Sequence, residues 1–209
     1  MRKGAMIKVC GITNQEDASA ALAGGATAIG FNFYRRSPRY IAPETAAAIV
    51  TAPGILRVGV FVNEKRACVE EVARIAGLSA AQLHGDEPPA DYPAAVAVWK
   101  AARVNAGFRL SDYEPLPADA LLLDGPAAEL YGGAGKTFDW SILKAPLAAR
   151  LAQRIILSGG LDASNVARAV ALAHPWGVDA CSRIESEPGK KDHIKMNEFL
   201  QAARAALRI

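Results

Sequence analysis

The sequence predicts a single-domain (β/α)8 TIM barrel, an α/β fold, and three observations predict it. Apolar, β-like runs alternate with alanine-rich amphipathic segments along the whole chain, the pattern of repeated βα units around a parallel sheet. Eight such units fit into 209 residues, whereas an open doubly wound sheet usually stops at about five or six strands. Residues that carry chemistry also stand just after the runs, and the C-terminal strand ends are where such a barrel builds its site.

Taken in order, the first strand is expected over 6–10, MIKVC, and Asn14 with Asp17 can start a helix over 14–24. A second strand, ATAIGF at 26–31, is followed by a helix over 43–52, and a third, LRVGVF at 56–61, by one over 64–76 with Asn63 and Glu64 at its start. Strands at 79–83 (SAAQL) and 95–100 (AVAVWK) lead to segments 87–92 and 106–113, which carry the least helical pattern. The sixth strand, DALLL at 119–123, precedes a helix over 138–150; the seventh, RIILS at 154–158, precedes one over 162–173 led by Asp162. The eighth, WGVDA at 176–180, precedes a helix over 194–207. No low-complexity linker divides the series, so residues 1–209 read as one domain.

Composition narrows the function. Hydrophobic residues make up 51% and charged residues 22%, which suits an ordinary folded domain. The net charge of +3 comes from 24 basic and 21 acidic residues spread along the chain, without the basic block that tracks a nucleic-acid backbone, so no nucleic-acid partner is expected. No run of about 18 apolar residues suggests a membrane span, and the basic start MRKGAMIKVCG lacks the apolar stretch of a secretion signal, so the expected location is the cytoplasm. Cys10, Cys68 and Cys181 are far apart, with neither zinc-site spacing nor a disulfide framework, and reduced thiols are expected.

A cysteine ending a strand is core filler by default. If Ile7 and Val9 face the helices, period-two alternation turns Met6, Lys8 and Cys10 toward the barrel axis with Cys10 at the mouth. Lys8 on that face is then a cation able to lower the thiol pKa, and a candidate substrate contact. Asp124 closes DALLLD, where an acid after three leucines is costly unless it emerges at a polar mouth; the bland alternative is a turn-forming Asp-Gly. The first and sixth strands lie three steps apart around an eight-membered ring, so the two residues would face each other.

SGGL at 158–161 reads as a phosphate cradle: Gly159 and Gly160 let backbone N–H groups approach an anion, joined by Ser182 and Arg183 after the eighth strand. Among Arg35, Arg36 and Arg39, the last is favoured to turn inward toward a carboxylate. His84 is either a substrate contact or a hydrogen-bonded strand end. The Gly-rich connection 125–137 has the length of a lid.

Together KVCGIT, GFNFYRRSPRYI, VGVFVN, QLHGDE, LLLDG, GGAGKTFDW, LSGGLDASNV and VDACSRIESEPGKKD resemble the phosphoribosylanthranilate isomerases of tryptophan biosynthesis, in order from residue 8 to 192. The resemblance implies a barrel without cofactor or metal that performs an Amadori rearrangement of N-(5-phosphoribosyl)anthranilate to 1-(o-carboxyphenylamino)-1-deoxyribulose 5-phosphate. It places the general base on Cys10, the general acid on Asp124 and an anthranilate-end arginine on Arg39. The chain departs from the family at CSRIE, where SSGVE is common, so Cys181 and Arg183 replace smaller residues beside the expected phosphate site, and at GGAG in place of GGTG. Two rivals are a barrel isomerase of histidine synthesis, which generally uses paired aspartates, and a non-catalytic sensor of phosphorylated ligands, which would need no Cys10 and Asp124 together. The expected partner is a small phosphorylated substrate, and both a monomer and a homodimer fit.

Overall fold

The computed structural model describes residues 4–125, 137–140, 143 and 154–208. Its strands are Met6–Cys10 (β1), Ala28–Asn32 (β2), Leu56–Phe61 (β3), Ala80–Leu83 (β4), Ala97–Arg103 (β5), Ala120–Asp124 (β6), Ile155–Leu157 (β7) and Gly177–Ala180 (β8). They pair in chain order, all parallel, and β8 returns to β1 with Lys8 opposite Asp179, closing the barrel.

Both faces of such strands are buried, and the alternation of side chains splits the core in two. Ile7, Val9, Ile29, Phe31, Leu121 and Leu123 point outward into the layer shared with the helices. Met6, Ala28, Val58, Ala80, Trp99, Ala120, Leu122 and Ile156 fill the barrel interior, where small residues beside Met6 and Trp99 suit the narrow axis. The expected outward Ile7 and Val9 and inward Met6 are therefore found.

The helices are Gln15–Ala23 (α1), Pro43–Ala48 (α2), Arg66–Ala76 (α3), Val166–Ala173 (α4) and His193–Leu207 (α5), and a short hairpin of Glu185–Glu187 (β9) and Lys190–Lys191 (β10) follows β8. Asn14 caps α1, its side chain accepting from the Asp17 N–H at 2.8 Å. Arg57 at the base of β3 donates to the carbonyls of Ala46, Ile49 and Ala76, placing one cation at the C-terminal ends of both α2 and α3.

Several expected helices are shorter. Segment 87–92 keeps one 3-10 turn, Pro89–Asp91, because Pro88 and Pro89 supply no N–H to continue a ladder. Segment 106–113 keeps Leu110–Asp112, after Asn105 has bonded the Gly107 N–H into a local turn. The helix expected from Asp162 starts at Val166, since the Asp162 carboxylate accepts from the Ser164 N–H and hydroxyl and so holds a turn instead. Strand β5 runs on through Arg103, which pairs in register with Asp124. Most of the expected helix 138–150, and the lid expected over 125–137, lie outside the described residues.

The loop after β4 is fixed by a buried pair. Lys100 Nζ lies 2.7 Å from Glu87 Oε2, and the Glu87 carboxylate also accepts from the N–H groups of Asn63 and Gly85. That anchorage holds His84, the residue before Gly85, at the mouth.

Candidate active site

Cys10 ends β1 facing inward, with 8% of its surface exposed at the mouth. Directly beneath it Lys8 is wholly buried and donates to Asp179 Oδ1 at 2.9 Å and Gln82 Oε1 at 3.0 Å. Ser158, after β7, donates to the other Asp179 oxygen at 3.1 Å. Lys8 was expected to be a substrate contact as well as a cation beside the thiol. With no exposed surface it supports the thiol from below.

The electrostatics follow from this crowding. A hydrogen bond from the Cys181 thiol, helped by the charges of Lys8 and Lys191, holds the Cys10 pKa well below the ordinary thiol value despite its burial. The Cys181 thiol, as the donor of that bond and partly withdrawn from water, is held well above the ordinary value. Burial pulls the Lys8 ammonium downward, but Asp179 and Cys10 outweigh it and push its pKa up. Asp179 is pushed up to about 7, first by its burial and then by the neighbouring thiolate, against the pull of Lys8.

A polar chain leads from this corner to the acid. Lysine can only donate, so Gln82 must turn its oxygen to Lys8 and its amide nitrogen to His84 Nδ1, 3.0 Å away. Nδ1 is thereby an acceptor, and the proton of the neutral ring sits on Nε2. Nε2 lies 3.2 Å from Asp124 Oδ2, within ion-pairing distance but off the line of a hydrogen bond, and it has no hydrogen-bond partner among the described residues. The remaining Asp124 oxygen accepts from the Gly125 N–H at 2.9 Å. His84 thus stands beside Asp124, tied to the Cys10 corner through Gln82 and Lys8.

At the cradle expected for a phosphate, Gly159 and Gly160 are both left-handed, with φ of 79° and 65°. A Cβ on Gly159 would run into the Gly125 nitrogen and crowd Asp124 Oδ1, so the glycine lets this turn pack on the acid's own turn. Ser182 opens a 3-10 turn after β8, and Arg183 in that turn donates through Nη1 to Asp162 Oδ2 at 2.7 Å. That pairing bridges the loops after β7 and β8.

Arg39 does turn inward, but onto a carboxylate of the chain. Nε and Nη2 clamp Glu185 at 2.9 and 2.7 Å, and Lys191 Nζ meets the same carboxylate at 2.7 Å. This holds the Glu185 acid below its usual range in spite of burial. Gly11, at φ 76°, makes the approach possible: a Cβ there would stand 2.9 Å from Arg39 Cδ and 3.1 Å from Cys181 Sγ.

Sequence reasoning passed over Gln82, Asp179, Glu185 and Lys191. For Gln82 and Asp179 a signal existed, since each is a lone polar residue among apolar neighbours in a strand, on the inward phase of the alternation. For Glu185 and Lys191 the hairpin that carries them gives no such pattern.

A family model described as N-(5'-phosphoribosyl)anthranilate (PRA) isomerase matches residues 7–202. A relative from Solibacter usitatus, an N-(5'-phosphoribosyl)anthranilate isomerase, is 69% identical over 202 residues, covering 97% of this chain and 98% of its own. Among solved structures, monomers generated from the dimeric phosphoribosylanthranilate isomerase of Thermotoga maritima superpose with a TM-score of 0.82 at 39% identity, covering 96% of this chain and 99% of theirs. A phosphoribosyl anthranilate isomerase in complex with reduced 1-(o-carboxyphenylamino)-1-deoxyribulose 5-phosphate gives 0.82 at 37% identity, with coverage of 96% and 99%.

Proposed function

The chain belongs to the N-(5'-phosphoribosyl)anthranilate isomerase family and carries out that isomerisation in tryptophan biosynthesis, and we propose that Cys10 is its general base and Asp124 its general acid. The aminofuranose ring opens when Asp124 delivers a proton to the ring oxygen and the C1–O bond breaks, leaving an iminium. The Cys10 thiolate then removes the proton on C2, and the resulting enolamine tautomerises to the ketone. The observation that carries this assignment is the setting of Cys10: a thiol at the mouth, its pKa lowered by Cys181 and Lys8, on the far side of a buried polar chain from Asp124.

The substrate's two ends are held by the loops on either side. Gly159, Gly160, Ser182 and Arg183 take the phosphate, and Arg39, whose Nη1 is not used by Glu185, takes the anthranilate carboxylate. His84 contacts the substrate beside the acid. Holding both ends fixes the reacting carbons between base and acid, and positioning of this kind supplies much of a rate enhancement. The whole chain acts as one catalytic domain in the cytoplasm, as a monomer or homodimer; among the described residues no helix is long and apolar enough to cross a membrane.

Loss of the anthranilate fluorescence of freshly made substrate measures turnover. Cys10→Ala and Asp124→Asn should each lower kcat by about 100-fold or more, the scale of a lost general base or acid, while circular dichroism stays unchanged. Retention of more than a tenth of wild-type kcat by either variant would move that role to another residue.

A further inference from the structure

Cys181, the residue after β8, stands against Cys10. Strands β1 and β8 pair with Val9 opposite Ala180, so Cys10 and Cys181 are the next residues across the same parallel ladder. Residues opposite one another on neighbouring strands lie about 5 Å apart, within the Cα separation a disulfide spans. Cys181 Sγ is turned toward the Cys10–Gly11 corner, 3.1 Å from where a Gly11 Cβ would stand, and both cysteines are in the reduced form. Neither is sealed away: Cys10 keeps 8% of its surface at the mouth, and Cys181 is only partly covered. Cations surround them, with Lys8 beneath Cys10 and Lys191 Nζ 4.0 Å from Cys181 Sγ. A partly exposed thiol among cations with a second thiol beside it is the arrangement of a peroxide-reactive pair.

We propose that Cys10 and Cys181 form such a pair, taking a small hydroperoxide as oxidant and closing to a disulfide that withdraws the catalytic base reversibly. The Cys10 thiolate attacks the outer peroxide oxygen; the O–O bond breaks, Cys10 becomes a sulfenic acid, and the departing oxygen takes up a proton as water or an alcohol. Cys181 then gives its proton to the departing sulfenic oxygen as its sulfur attacks Cys10, so the S–O bond breaks, the S–S bond forms and a second water leaves. The two sulfurs supply the two electrons that reduce the peroxide bond. Because a resolving thiol stands at hand, Cys10 is spared the further, irreversible steps to sulfinic and sulfonic acid.

The loss of activity rests on Cys10 being the base; the disulfide does not, so the two are read separately. A Cys68→Ser background removes the exposed third thiol. Treated with stoichiometric hydrogen peroxide, that protein should lose about 2 Da, the mass of two hydrogens, and give a Cys10–Cys181 cross-linked peptide on non-reducing digestion. Turnover should fall with cross-link yield and return on dithiothreitol. In Cys68→Ser/Cys181→Ser, a total of about two or three equivalents of peroxide should instead add about 32 or 48 Da at Cys10, one oxygen per equivalent and those beyond the sulfenic acid irreversible, and dithiothreitol should then restore no activity. Addition of oxygen to Cys10 in the presence of Cys181, or survival of both thiols, would overturn the pair. A cross-link that forms while turnover persists would leave the pair standing and overturn Cys10 as base.

Discussion

At the scale of single residues, two side chains decide what the thiol and the acid can do. Cys181 is the first, because the hydrogen bond from its thiol lowers the Cys10 pKa, so the pH below which iodoacetamide inactivation slows should lie lower than for an ordinary thiol, whose pKa is near 8.5. A tenfold decline per unit beginning at pH 8.5 would show an ordinary thiol. Gln82 is the second, because its amide dictates which nitrogen of His84 is protonated. Gln82→Glu keeps an acceptor for Lys8 but asks Nδ1 to donate, which moves the ring proton away from Asp124. That variant should fold normally, keep KM within a few-fold and lose about tenfold or more in kcat, the usual effect of removing an orienting partner. A kcat equal to wild type would make the glutamine mere packing. Cys10 and Asp124 were legible in the sequence because strand ends are where this fold puts chemistry. Gln82 was not, because its importance lies in the direction of one hydrogen bond.

At the scale of elements, every strand was legible to within about three residues because both their faces are buried, so mostly apolar runs mark them out. The helices were less so: where side chains bond their own backbone, as Asp162 and Asn105 do, local turns win over periodicity. The same competition shapes the phosphate end. Arg183 reaches across to Asp162, so its charge is shared between an internal partner and an incoming anion. Arg183→Gly should raise KM several-fold and leave kcat within a few-fold, since it removes binding common to ground and transition states. The rise should shrink with added salt. An unchanged KM at low ionic strength would mean that the arginine serves only to tie the two loops together.

At the scale of the whole molecule, Lys8 and Asp179 close the ring, and they are also the charges under the base. Lys8→Met leaves Asp179 buried without its partner and should cost about 3–5 kcal/mol, measured by urea unfolding. Adding Asp179→Leu should recover much of that stability, because an apolar pair of similar size fits a buried site at least as well as ions do. The double variant should nevertheless stay slow, with the alkylation profile of Cys10 moved toward an ordinary thiol. Full activity in that protein would separate the ion pair from catalysis. The closure has a consequence for the order in which the protein is made. Cys10 emerges from the ribosome well before the groups that lower its pKa, since Asp179 to anchor Lys8, Cys181 and Lys191 emerge some 170 residues later. Until then the nascent chain carries Cys10 as a plain thiol, and the surroundings that lower its pKa come together only when β8 docks against β1.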